Sequence, residues 1–196
     1  MAEIIKIKES RKTYETKYTL QELLNEGGNA WVCRCIFDET KEEFAIKILK
    51  EGKQGEKLSR FVNEIAVMRK YGGEENGVLP IIDADAESGW YVMPIAKPVE
   101  AYFTENGTNI KDKIDAIVQL AKKLEALHEK GITHRDIKPD NIFRYEDSYC
   151  FGDFGLCEYP EGEEVYTRTD KQLGAFNTIA PEMYKNPQGQ DGKKAD

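Results

Sequence analysis

Histidine is scarce in this chain: only His128 and His134 occur in 196 residues. Cysteine is limited to Cys33, Cys35, Cys150 and Cys157. The Cys33-x-Cys35 spacing is tighter than the usual C-x2-C zinc arrangement, and two histidines leave little to complete such a set. The cysteines therefore read as reduced thiols of a cytosolic protein. The N-terminal stretch Met1-Ala2-Glu3-Ile4-Ile5-Lys6 has no apolar run long enough for a signal peptide, and no later stretch approaches the length of a membrane span. A cytoplasmic location and no membrane partner are expected. Positive charge is also in deficit, with 28 Lys and Arg against 36 Asp and Glu, a net charge of -8. Phosphate backbones are bound by clustered cations, so nucleic acid is not an expected partner. Internal repeats and Pro- or Ser-rich linkers are lacking too. What is present, 40% hydrophobic and 33% charged residues, suffices for a buried core in one or two domains.

The first half reads mostly as sheet. Residues 1–17 are rich in Lys, Glu, Ser and Thr and look like an arm before the fold. Leu20, Leu23 and Leu24 lead into the turn-forming cluster Asn25-Glu26-Gly27-Gly28-Asn29. Trp31–Phe37 and Phe44–Leu49 then read as strands, rich in aromatic and branched residues. Over 56–70 the spacing of Phe61, Ile65 and Met68 predicts an amphipathic helix. Two further strands are expected around Val78–Ile82 and Trp90–Pro94. After Pro98, Ile110, Ile114, Ile117, Val118, Ala121, Leu124 and Leu127 form an apolar stripe at helical spacing. Asn109 is a plausible N-cap for that helix and Gly131 a plausible stop.

Chemistry concentrates just beyond this helix. His134-Arg135-Asp136-Ile137-Lys138-Pro139-Asp140-Asn141 is followed, twelve residues after Asn141, by Asp153-Phe154-Gly155. Together they supply a base, a cation and two oxygen ligands for a metal. Those are the groups needed to move a phosphoryl group from a nucleotide to a hydroxyl, a reaction that depends on positioning and on positive charge near the phosphate oxygens. The two segments resemble the protein kinase family, whose catalytic loop reads H-R-D-x-x-x-x-N and whose metal loop reads D-F-G.

The resemblance implies an α+β, two-lobed protein kinase-like fold, with a β-rich small lobe over 18–95 and a partial helical lobe over 96–196. It implies ATP and Mg2+ as cofactors and a protein substrate. Asp136 would be the base and Lys138 the cation that neutralises the transferring phosphate, as in Ser/Thr-directed members. Asn141 and Asp153 would hold Mg2+, which takes few ligands from protein and completes its shell with phosphate and water. Lys47, in Phe44-Ala45-Ile46-Lys47, stands where the family holds the α- and β-phosphates, and Glu64 on the predicted helix would be its ion-pair partner. The glycine turn matches in part: Asn25, Gly27 and Gly28 could bring backbone amides to phosphate, while Ala30 stands where the pattern has its last glycine. Met93, Pro94 and Ala96 fall where the family meets adenine, with Val32 and Ala45 above the ring and Phe143 below.

Ala180-Pro181-Glu182 resembles the family's closing A-P-E, which makes the residues between Asp153 and Glu182 an activation loop. Thr167 and Thr169 are its candidate phosphosites, and Arg135 the arginine that would receive the phosphate. Autophosphorylation of the loop is expected. Two departures stand out. Ala175 and Thr178 replace a usual Thr and a frequent aromatic. The resemblance runs from about Tyr18 to Asp196, whereas the family's larger lobe continues for several helices, so a C-terminal segment or a dimer is expected to cover the 110–128 helix. Asp196 stands where the next helix would begin with an anchoring Asp. The alternatives are a nucleotide-binding pseudokinase-like module acting through protein contacts, and a small-molecule kinase of related fold.

Overall fold

The computed structural model describes residues 14–50, 55–158 and 192–196. Thr167, Thr169, Ala175, Thr178 and the Ala180-Pro181-Glu182 segment lie outside the described residues.

Three strands come first: β1 (Tyr18–Glu26), β2 (Ala30–Phe37) and β3 (Glu43–Leu49). With β4 (Asp83–Asp85) and β5 (Trp90–Met93) they form an antiparallel sheet of order β1-β2-β3-β5-β4. Alternation along the strands sorts the side chains between two cores. Ile46, Ile48, Trp90 and Val92 join Tyr14, Tyr18, Leu20, Cys33 and Cys35 in one. Leu49 and Tyr91 join the second, with Phe61, Ile65 and Met68. The register sets Ala45 opposite Met93 and Lys47 opposite Tyr91. Burial pushes the Cys33 and Cys35 thiols up to about 11 and about 12, so both are neutral packing groups near pH 7.

Helix α1 (Glu56–Tyr71) forms where the apolar spacing predicts it, and its buried stripe is Phe61, Ile65 and Met68 together with Glu64 and Val67. Each large apolar side chain buried this way is worth about 1.5–3 kcal/mol. The run Val78–Ile82, expected as a strand, is not one. Val78 makes single bridges to Gly73 and Phe151, Pro80 offers no N–H, and contact with β5 begins only with the Ile82 N–H, which donates to the Val92 carbonyl at 2.8 Å. The run is apolar because Val78 and Leu79 cross the core, not because it pairs.

Beyond β5 lie β6 (Lys97–Pro98), α2 (Val99–Glu105), α3 (Ile110–Glu129), β7 (Ile142–Tyr145) and β8 (Ser148–Phe151). Strands β6, β7 and β8 form a second small sheet in that order. Asn109 caps α3 by accepting from the Asp112 N–H at 3.0 Å. The buried side of α3 is Ala116, Leu120 and Leu127. Ile110, Ile114, Ile117 and Val118 of the apolar stripe are exposed, Ile110 by 78% and Ile117 by 64%. This is the helix that a further segment or a dimer is expected to cover. They lie about 60° to 160° round the helix from Leu120, off the buried side. Helix α4 (Gly192–Ala195) brings Asp196 back to the loop after α3.

Candidate active site

The loop between α3 and β7 is organised around Asp136. Arg135 takes a left-handed conformation, φ 67°, which turns the chain sharply and is uncommon outside glycine. The turn is held from outside the loop: the Asp196 carboxylate accepts from the backbone N–H groups of His134 and Arg135, at 2.7 and 2.6 Å. His128 Nε2 lies 3.0 Å from the same carboxylate. The position expected to anchor the loop does contact it.

His134 is buried below. Its Nδ1 accepts from the Asp136 N–H at 3.3 Å, so the proton resides on Nε2, which donates to the Gly152 carbonyl at 3.0 Å. Burial lowers its pKa, against the pull of Asp196, Asp153 and Asp136, and keeps the ring neutral. The ring also packs on Phe154, with centroids 4.6 Å apart. One imidazole thus ties the Asp136 loop to the Asp153-Phe154-Gly155 loop.

Asp136 itself is nearly buried. Its carboxylate accepts from Lys138 Nζ at 2.7 Å and from Asn141 Nδ2 at 2.8 Å, and Asn141 Nδ2 also reaches the Asp136 carbonyl at 2.8 Å. With its NH2 committed, Asn141 keeps its amide oxygen for another partner. Asp153 also adopts a left-handed conformation, φ 59°. The ammonium of Lys47 lowers the Asp153 pKa and keeps this partly exposed carboxylate ionised.

Lys47 stands between two carboxylates. Its Nζ is 2.7 Å from Glu64 Oε1 and 3.4 Å from Asp153 Oδ1. Burial opposes the charge, but Asp153 and Glu64 overcome it and hold the ammonium well above the ordinary lysine range. Glu64, at 2% exposure, also accepts from the Tyr91 hydroxyl at 2.8 Å.

One cleft of about 330 Å3 gathers these groups. Lys47, Glu64, Asp136, Asn141 and Asp153 line it, with Asn25, Gly27, Gly28, Val32, Met93 and Phe143. Ala45, Pro94 and Ala96 are not among its lining residues. Lys138 reaches the site through Asp136. The glycine turn closes through the Gly27 N–H to the Ala30 carbonyl at 3.0 Å. A Cβ at Gly28 would meet nothing within 4 Å, so packing within the chain does not require glycine there. Arg135 is occupied: its Nη2 donates to Glu158, whose backbone bridges Thr133.

The donor set suits a hard divalent cation bound partly by phosphate. It offers one ionised carboxylate and one amide oxygen, and no cluster of three acidic, His or Cys ligands occurs among the described residues. Tyr91, Gly152 and Asp140 also line the cleft and were not anticipated from motif spacing. Tyr91 had one usable signal: two residues before Met93 on a strand, it must share that residue's face.

The described residues form one polar cleft, lined by Lys47, Asp136, Asn141 and Asp153, against a five-stranded sheet. Comparison with known proteins gives the family. The model of the protein kinase domain matches residues 18–196. The chain is 32% identical over 180 residues to the serine/threonine-protein kinase DCLK1 of Rattus norvegicus, covering 87% of this chain and 40% of that protein. It is 29% identical over 173 residues to the "probable serine/threonine-protein kinase" of Clostridium acetobutylicum, covering 85% and 26%. It is 29% identical over 163 residues to the MAP kinase-interacting serine/threonine-protein kinase 2 of Xenopus laevis, covering 80% and 34%. The chain belongs to the protein kinase family, and it spans less than half the length of these relatives.

Proposed function

We propose that the chain transfers the γ-phosphoryl group of ATP to Ser or Thr hydroxyls of protein substrates. The carrying observation is the convergence of Lys47, Asp136, Asn141 and Asp153 on one cleft, with the Lys47–Glu64 pair formed. Val32, Met93 and Phe143 offer the apolar surface for adenine, with Ala45, Pro94 and Ala96 on the adjoining strand and connection. Gly27 and Gly28, beside Asn25, give phosphate access to the backbone of the turn. Asn141 and Asp153 would hold Mg2+, which would neutralise charge on the phosphates.

Asp136 orients the incoming hydroxyl and takes its proton as the hydroxyl oxygen bonds to the γ-phosphorus and the bond to the β-phosphate oxygen breaks. Lys138, 2.7 Å from Asp136, places a positive charge beside the transferring group. Lys47 does the same for the α- and β-phosphates. The Asp196 anchor and His134 hold the two loops in register, so little reorganisation accompanies the reaction.

The domain division at residues 95 and 96, a cytoplasmic site of action and autophosphorylation at Thr167 or Thr169 belong to the same proposal. A loop phosphate reaching Arg135 would share that guanidinium with Glu158. The exposed Ile110, Ile114, Ile117 and Val118 favour a polypeptide surface over α3, from a second copy or a further segment. No helix among the described residues is long and apolar enough to cross a membrane.

The test is transfer of labelled phosphate from Mg-ATP, with and without a generic protein substrate. Label on the added protein supports the proposal. A thermal shift with Mg-ATP but no transfer favours the pseudokinase-like module, for which the alanine at position 30 of the glycine turn speaks. Label on small molecules alone would point to the third class.

A further inference from the structure

Tyr91 sits in the middle of β5, directly across the sheet from Lys47. Both side chains leave the sheet on the same face, toward α1. The Tyr91 hydroxyl donates to Glu64 Oε1 at 2.8 Å, and Lys47 Nζ donates to that same oxygen at 2.7 Å. The Tyr91 ring packs on Phe61, one helical turn before Glu64, with centroids 5.4 Å apart. Lys47 Nζ lies 5.8 Å from the ring centroid. Tyr91 is 1% exposed, and burial holds its hydroxyl protonated at neutral pH, so it is available as a donor.

Glutamate has three rotatable side-chain bonds. A carboxylate held by one flexible lysine can swing, and the lysine swings with it. A second donor from the rigid sheet saturates the shared oxygen and fixes the carboxylate. Buried tyrosines generally place their hydroxyl against a partner, and here the partner is the carboxylate that aims Lys47.

We propose that Tyr91 is a positioning residue, whose hydroxyl locks Glu64 so that Lys47 is aimed at the phosphate-binding part of the cleft. The lock belongs to the sheet itself and needs no modification elsewhere in the chain. It rests on the phosphoryl-transfer function proposed above. As the bond to the γ-phosphorus breaks, negative charge grows on the β-phosphate oxygens, so a misplaced Lys47 costs more in the transition state than in the bound state.

Tyr91→Phe keeps the ring and its packing and removes only the hydroxyl. With Mg-ATP and protein substrate, kcat should fall about tenfold, the scale of one hydrogen bond to a charged group, while KM for ATP changes by less than about twofold. Because Tyr91 acts through Glu64, Tyr91→Phe should cause almost no further loss in a Glu64→Ala chain, which lacks the accepting oxygen. A merely structural role would lower the melting temperature and leave kcat per folded molecule unchanged. Unchanged kcat in Tyr91→Phe, or losses that multiply with those of Glu64→Ala, would overturn the inference. A wild-type chain that transfers no phosphate defeats the functional proposal instead. Amide exchange then decides the lock: faster exchange around residue 64 of α1 in Tyr91→Phe sustains it, and unchanged exchange refutes it.

Discussion

Gly152 stands on the cleft wall immediately before Asp153, and its missing side chain has a clear use. A Cβ there would come within 2.8 Å of Phe143 Cε2. Phe143 lines the same cleft, so Gly152→Ala should displace its ring and disturb the surface assigned to adenine. Overpacking of this kind costs about 1 kcal/mol at the low end. The dissociation constant for ATP, measured by calorimetry, should rise about fivefold. An unchanged constant would remove Phe143 from the adenine surface. Gly152 was not legible in the sequence, and Tyr91 only through its two-residue spacing from Met93, because each matters through a neighbour that the folded register supplies. Lys47, Asp136, Asn141 and Asp153 stood out because they lie in motifs that resemble those of the protein kinase family, and the structure brings the four to one cleft. Glu64 was legible as a charge on the helical stripe that carries Phe61 and Ile65.

Helix α1 lies where its period predicts it, β2 and β3 where their aromatic and branched residues do, and β5 near its expected place. The other short elements were not foreseen, and α3 begins at its predicted cap. Asn109→Ala should cost about 1 kcal/mol in urea unfolding and leave transfer kinetics unchanged, since the cap lies far along α3 from the Asp136 loop. A loss below about 0.3 kcal/mol would show that packing alone sets the start of α3. Strand β4, Asp83-Ala84-Asp85, was missed because two of its three residues are acidic, the reverse of strand preference. Strands β6 to β8 and α2 are too short for any period to register. The apolar stripe on α3 is exposed because a sequence pattern specifies that a face is apolar and leaves open what covers it.

At the scale of the molecule, two loops are tied together by the buried neutral imidazole of His134, and one distant carboxylate, Asp196, holds the backbone beside it. The consequence is a pH dependence with a definite sign. The folded pKa of His134 is lowered, so between that value and about 6.5 the unfolded chain binds more protons than the folded one. The stability contribution of His134 is therefore whole above about pH 7 and declines as pH falls through about 6.5, by at most about 1.4 kcal/mol per pH unit. Urea unfolding across this range should show that decline, and a His134→Gln chain should lose the part of it centred near pH 6.5. A profile flat down to about pH 5 would contradict a buried neutral ring. The most direct test of the site as a whole uses Asp136. Asp136→Asn should abolish transfer of labelled phosphate from ATP to a protein hydroxyl while Mg-ATP still raises the melting temperature nearly as in the wild type. Transfer that persisted in this variant would show that the proton leaves by another group and that the cleft has been assigned the wrong base.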